Sequence, residues 1–183
     1  MLWVRAALRR CGRPVTTHEI IQRIIEREGG YVDNALDKGG PTRFGITMST
    51  LAKWRDHLVT PSDVKLLTPE EAAAIYLSLY VTHPGFDQIN DDKLRSLVVD
   101  CAVLHGPATV TKWLQAIVET AVDGVLGTNT AAAVNSENAT SIYLLLCAKR
   151  VRFFGEIITK DHTQAVFAHG WLNRAAEFIE EIA

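Results

Sequence analysis

Apolar residues recur at helical spacing through most of this 183-residue chain. Ile20, Ile21, Ile24 and Ile25 form one apolar stripe. Thr16 or Thr17 can cap its start, with Glu19 placed to complete a capping box, and Gly29 and Gly30 can supply the left-handed residue that ends it. A second helix is expected from Thr47 or Ser49, with Leu51, Trp54 and Leu58 on one face. Thr68-Pro69-Glu70-Glu71 is a strong start signal: a cap, proline at the first position and an acid at the third. That helix should run to about Tyr80, turn Ile75, Tyr76 and Leu79 toward a core, and end at His83-Pro84-Gly85. Asp91 or Asp92 opens the next helix, through Leu94, Leu97, Val98 and Cys101, up to a break at Gly106-Pro107. Helix is then expected over residues 109–119, with Trp113, Leu114 and Ile117. A glycine-containing turn over 122–130 leads into a short helix, a long helix starts at Asn138 or Thr140 and reaches about Ile158, and a last one spans roughly 163–182. Strand signal is confined to about residues 30–47, so the pattern predicts a mainly α fold with one small β-hairpin.

The hairpin region carries the chemistry. Glu28 lies one turn beyond Ile24, on the same side of its helix. A carboxylate there meets the negative end of the helix dipole, and partial burial disfavours its charge. Both effects favour the protonated form that a general acid needs. Asp37 follows by nine residues and Thr42 by five more, and five of the residues from 29 to 45 are glycine. Such a loop can fold back over the helix end and set two carboxyl groups across a cleft, the arrangement required to cleave a glycosidic bond. Asp37 would then hold a water or stabilise an oxocarbenium-like transition state, and the Thr42 hydroxyl would help orient that water. Each residue also has a plain structural reading: Glu28 as a solvated neighbour of a glycine cap, Asp37 as an Asx-turn residue, Thr42 as a local hydroxyl-to-backbone bond.

Glu28-Gly29-Gly30-Tyr31, Asp37, Gly39-Gly40, Thr42 and Gly45-Ile46-Thr47 together resemble the signature of glycoside hydrolase family 108, the lysozyme-like N-acetylmuramidases of phage endolysins and bacterial secretion-related loci. One departure is visible. The family often reads Asn-Asp-Pro after the aromatic and Asp-Pro-Gly-Gly later, whereas this chain has Asp33-Asn34-Ala35 and Asp37-Lys38-Gly39-Gly40. The prolines are gone and the carboxylate positions remain. The resemblance extends through Asp100 to Gly106, Leu114-Gln115 and Val122 to Thr130, which are similar to the peptidoglycan-binding module attached to these enzymes, and through Gly170-Trp171-Leu172-Asn173-Arg174, similar to the family's closing element.

The resemblance implies a lysozyme-like helical domain with the hairpin beside the active site. It also implies a hydrolase of the β-1,4 bond between N-acetylmuramic acid and N-acetylglucosamine. Glu28 maps onto the catalytic acid. Asp37 and Thr42 complete the catalytic set, with inversion preferred because a threonine-assisted water suits it. Tyr31, Trp171 and Asn173 are the candidate substrate contacts, weighed against a stapling role for Tyr31 and a core role for Trp171. Asp123 and Gly124 suit a tight turn. The expected division is an extension over 1–17, a catalytic region over 18–99 and a helical peptidoglycan-binding-like region over 100–183 packed on it. The rival function is a non-catalytic wall-binding or secretion-accessory protein of the same fold.

Composition changes little in this picture. Hydrophobic content of 48% is ample for a core, and a net charge of -2 gives no argument for nucleic acid as a partner. Cys11, Cys101 and Cys147 are odd in number and lack metal-ligand spacing, and the six histidines are scattered. No disulfide framework, metal or cofactor is expected, and Cys101 and Cys147, in apolar runs, should be buried thiols. No run reaches the roughly 20 apolar residues of a membrane span. Residues 1–15 carry Trp3, Leu8 and four arginines without the apolar core of a secretory signal. They read either as a basic amphipathic helix touching membrane or wall, or as a surface extension. The expected setting is a monomer made in the bacterial cytoplasm that reaches peptidoglycan through a holin-type or other route independent of a signal peptide.

Overall fold

The computed structural model describes residues 16–32 and 40–182. The fold is mainly α with one small antiparallel hairpin, as the sequence predicts. It divides into two compact units, one of Thr16–His83 and one whose described part begins at Pro84. The basic segment 1–15 lies outside the described residues.

The first unit opens with α1, Thr17–Glu28. Its start is a full capping box: the Glu19 amide donates to Thr16 Oγ1 at 3.2 Å, and the Thr16 amide donates back to Glu19 Oε2 at 2.8 Å. Ile20, Ile21, Ile24 and Ile25 are all buried. Strands β1 (Thr42–Arg43) and β2 (Ile46–Thr47) pair in antiparallel register, with Arg43 opposite Ile46. Helix α2, Met48–Arg55, is capped by the Thr47 hydroxyl, which accepts from the Thr50 amide at 3.2 Å. It buries only Leu51. A left-handed Asp56 stops it, so Leu58 falls outside the helix and is almost fully exposed, and Trp54 is 40% exposed, contrary to the expected three-residue face.

A short helix that the apolar pattern did not predict follows: α3, Pro61–Lys65. Its capping box, Thr60 with Asp63, repeats the Thr-Pro-x-acid logic of the next helix, so the signal was present in the polar residues. Helix α4, Pro69–Leu77, is capped by Thr68 and buries Ile75 and Tyr76. It continues as a wider π turn, Ser78–Thr82, closed by the His83 amide on the Ser78 carbonyl at 2.9 Å. The change of period turns Leu79 outward to 37% exposure, where a continued α-helix should have buried it.

The second unit contains α5 (Asp92–His105), α6 (Pro107–Ile117), α7 (Thr128–Ser136), α8 (Ala139–Lys160) and α9 (Ala168–Glu180). The Asp91 and Asn138 side chains cap α5 and α8. The segment from His162 to Phe167, expected as the first turn of the last helix, is instead a 3-10 helix, begun by Asp161, whose Oδ1 accepts from the Thr163 amide at 3.0 Å. Cys101 and Cys147 are buried free thiols, and burial pushes them up to about 12 and about 11. No helix among the described residues is long and apolar enough to cross a membrane.

The core of this unit holds an ionic cluster. Asp100 on α5 is 1% exposed and accepts from Arg150 on α8 at 2.9 Å and from Arg174 on α9 at 2.8 Å. One carboxylate therefore ties three helices. Arg150 is fully buried, lies over the rings of Phe154 and Phe178, and leaves Nε and Nη1 without hydrogen bonds. Its charge is compensated chiefly by Asp100, so removing that carboxylate strands a buried cation. Asp100→Ala is expected to lower the unfolding free energy of the full chain by about 3 to 5 kcal/mol, read as a drop in the urea midpoint.

Candidate active site

Glu28, the expected acid, is the last residue of α1 and is half-buried. Gly29 ends the helix with φ 77°, and its amide still donates to the Ile25 carbonyl at 3.3 Å. The chain then returns through the hairpin. Val32 and Thr42 exchange two backbone bonds of 2.8 and 2.9 Å, and the Phe44 amide donates to the Gly29 carbonyl at 3.2 Å. These contacts place the β1–β2 turn beside the end of α1. The turn has two central residues, both left-handed: Phe44 at φ 52° and Gly45 at φ 73°. Positive φ at both positions is what a type I′ hairpin demands. For Phe44 this conformation costs about 1 to 2 kcal/mol.

Three contacts hold the strained turn. The Tyr76 hydroxyl on α4 donates to the Phe44 carbonyl at 2.9 Å. The Arg43 guanidinium lies 5.0 Å from the centre of the Phe44 ring and donates to the Lys65 carbonyl at the end of α3. Gly45 makes the tightest fit. A Cβ there would stand 2.5 Å from the Tyr76 hydroxyl and 3.1 Å from both Cγ and Oε2 of Glu28. The missing side chain is the space in which the Glu28 carboxylate and the Tyr76 hydroxyl meet the turn. The Tyr80 ring packs against Tyr76 with centroids 5.5 Å apart, and its phenol is held above the usual range, first by burial and then by the charge of Glu28. Sequence reasoning placed Tyr76 in the core and passed over Tyr80. Their four-residue spacing is a helical signal, and nothing in it says that they meet a residue some fifty positions earlier.

Thr42 is half-buried on β1, and its hydroxyl donates to the Gly40 carbonyl at 3.1 Å, the local bond that the plain reading allows. Asp37 lies outside the described residues. Tyr31 follows the helix cap and is half-buried. Trp171 and Asn173 belong to α9 of the second unit. Trp171 stacks on Phe154 at 5.1 Å and 13°, with Phe167 at 5.8 Å, and the Asn173 amide meets His169 Nε2 at 3.1 Å.

The loop around Asp123 is a structural turn. Asp123 Oδ1 accepts from the Val125 amide at 2.8 Å and from Gln115 Nε2 at 2.7 Å, while the Gly124 amide donates to Gln115 Oε1 at 2.9 Å. Gln115 is 1% exposed, so a buried side-chain amide holds the loop from beneath.

A mainly helical fold with a carboxylic acid at a helix end, covered by a β-hairpin, defines a lysozyme-like protein. Comparison with known proteins carries this further. The family model described as Glycosyl hydrolase 108 matches residues 21–106, and the one described as Predicted Peptidoglycan domain matches residues 108–176. The solved structure of SagA from Brucella abortus is similar at 33% identity with a TM-score of 0.74, over 87% of this chain and 89% of that one. No curated protein matches. The chain belongs to glycosyl hydrolase family 108 and carries the family's peptidoglycan domain, which makes it a peptidoglycan hydrolase.

The packing at Gly45 yields a test. Gly45→Ala forces a Cβ into the Tyr76 hydroxyl at a positive φ. It is expected to reduce release of soluble fragments from purified peptidoglycan on the order of 10²-fold by displacing Glu28. The same substitution should lower stability by about 1 to 3 kcal/mol, so most of the protein remains folded in the assay, as circular dichroism would verify.

Proposed function

We propose that the chain is an N-acetylmuramidase that cleaves the β-1,4 bond between N-acetylmuramic acid and N-acetylglucosamine, with Glu28 as the general acid. The observation that carries this reading is the packing of Glu28. The carboxylic acid ends α1, is half-buried, and is set against the Gly45 turn and Tyr76. A carboxylic acid in that position can deliver a proton to a glycosidic oxygen entering beside the turn.

Asp37 supplies the second carboxylate. The Thr42 hydroxyl already donates its proton to the Gly40 carbonyl, so toward a water it acts as an acceptor. A water donating one hydrogen to Thr42 and the other to Asp37 keeps a lone pair free to attack the anomeric carbon. That geometry belongs to an inverting enzyme, whose carboxyl groups stand roughly 6.5–9.5 Å apart to admit the water. Tyr31, Trp171 and Asn173 serve as glycan contacts, aromatic faces beside polar groups being the usual composition of a sugar site. The enzyme acts on the bacterial cell wall as a monomer, after synthesis in the cytoplasm and export through a holin-type or other route independent of a signal peptide.

Mass spectrometry of soluble products from purified peptidoglycan tests the reading. The wild type is expected to release fragments ending in reducing N-acetylmuramic acid, and Glu28→Gln none. Proton NMR of the first products should show the α-anomer, the outcome of inversion at a β-linkage. Wild-type protein that sediments with the wall and releases nothing would establish a wall-binding protein instead. Equal yields from wild type and Glu28→Gln would make Glu28 structural.

A further inference from the structure

Tyr80 stands out beside Glu28 because no described residue takes up its hydroxyl. A buried tyrosine normally finds a hydrogen-bond partner for its polar end. Tyr76, one turn earlier, follows that rule through Phe44. Tyr80 is half-buried, and among the described residues its hydroxyl makes no hydrogen bond. The position is also built in an unusual way. Tyr80 is the central residue of the π turn Ser78–Thr82, an interruption of the helical period of a kind that gathers at functional sites. One side of its ring is fixed against Tyr76, whose own hydroxyl reaches the point above Gly45 that Glu28 Oε2 also reaches. A fixed aromatic ring with an unspent donor beside an acid matches the chemistry of a sugar, which offers an apolar C–H face and a rim of hydroxyl and amide oxygens.

We propose that Tyr80 is a substrate-contacting residue of the Glu28 cleft, its ring lying against a sugar next to the scissile bond and its hydroxyl donating to that sugar. The proposal rests on the hydrolase reading above for the identity of the glycan. Because burial and the nearby carboxylate both disfavour the phenolate, Tyr80 remains a neutral donor throughout the working range of an enzyme. Its contribution is therefore to binding, with no proton exchanged.

Binding is measured in the Glu28→Gln background, where no turnover consumes the ligand, by calorimetry with glycan strands solubilised from purified peptidoglycan. Adding Tyr80→Phe, which keeps the ring, is expected to raise Kd roughly 2- to 12-fold, the worth of one hydrogen bond. Adding Tyr80→Ala should raise it further. In the otherwise wild-type enzyme, Tyr80→Phe should raise KM more than it lowers kcat, leave the pH profile of kcat in place and leave Tm unchanged. Unchanged Kd for Tyr80→Phe, or no saturable binding by Glu28→Gln, overturns the proposal. The two readings fail separately. A wild type that releases no products while Tyr80→Phe still weakens binding would remove the hydrolase and keep the contact. Normal hydrolysis with unaltered binding would remove the contact alone.

Discussion

The close approach at Gly45 is the constraint on which the site depends. Only a residue without a side chain lets the Glu28 carboxylate and the Tyr76 hydroxyl come within 3.1 and 2.5 Å of the same point beside the hairpin turn. Three elements distant in sequence converge there: the C-terminal end of α1, the β1–β2 turn and the end of α4. None of them alone fixes the carboxylate. The helix sets its height, the turn limits its sideways freedom, and the tyrosine holds the turn. Supporting contacts follow outward from this point, from Arg43 on the Lys65 carbonyl to Arg55, which meets Glu71 in a two-pronged pair of 2.8 and 2.7 Å.

How much of this was legible follows from the range of each interaction. The start of α1 could be read because a capping box is complete within four residues, and Glu28 could be placed because its neighbours Ile24 and Ile25 set the face. The type I′ turn was legible as a region of strand signal, but its first central residue is Phe44, which few patterns would put at positive φ. Leu79 was misjudged because hydrophobic periodicity assumes a constant period, and the π turn breaks it. Leu58 was misjudged because a left-handed Asp56 ended α2 two residues earlier. Tyr76 and Tyr80 could not have been assigned to the site at all. Their roles exist only once α4 is packed beside the hairpin, and local sequence carries no record of that packing.

The second unit shows a different division between sequence and packing. Its loop at Asp123 reads as a turn from residues 122–130, yet the residue that secures it is the buried Gln115 on α6. Asp100 and Arg150, both nearly inaccessible, would each be costly alone and are tolerable only as a pair with Arg174. The two ways of cutting the chain reflect this. Packing divides it at His83 and Pro84, whereas the family models meet between residues 106 and 108. Helix α5 thus belongs by ancestry to the hydrolase segment and by its Asp100 contacts to the helices that follow.

Several departures from regular backbone in the first unit lie near one carboxylate. Gly29 and Gly45 at positive φ, Phe44 in a conformation that disfavours a bulky side chain, and the wide turn carrying Tyr80 all lie around Glu28. Strained conformations persist only where surrounding contacts over-determine them, and such positions cluster where a site must be preorganised. Here the contacts that enforce the strain can be named: Tyr76 on the Phe44 carbonyl, the Phe44 amide on Gly29, and Arg43 across the Phe44 ring. A turn free to shift would give up the close approach of Gly45 to the Glu28 carboxylate. The strain is thus consistent with a fold that holds one acid in one place, and it ties the hairpin, which contributes little to the core, to the chemistry proposed for the helix beside it.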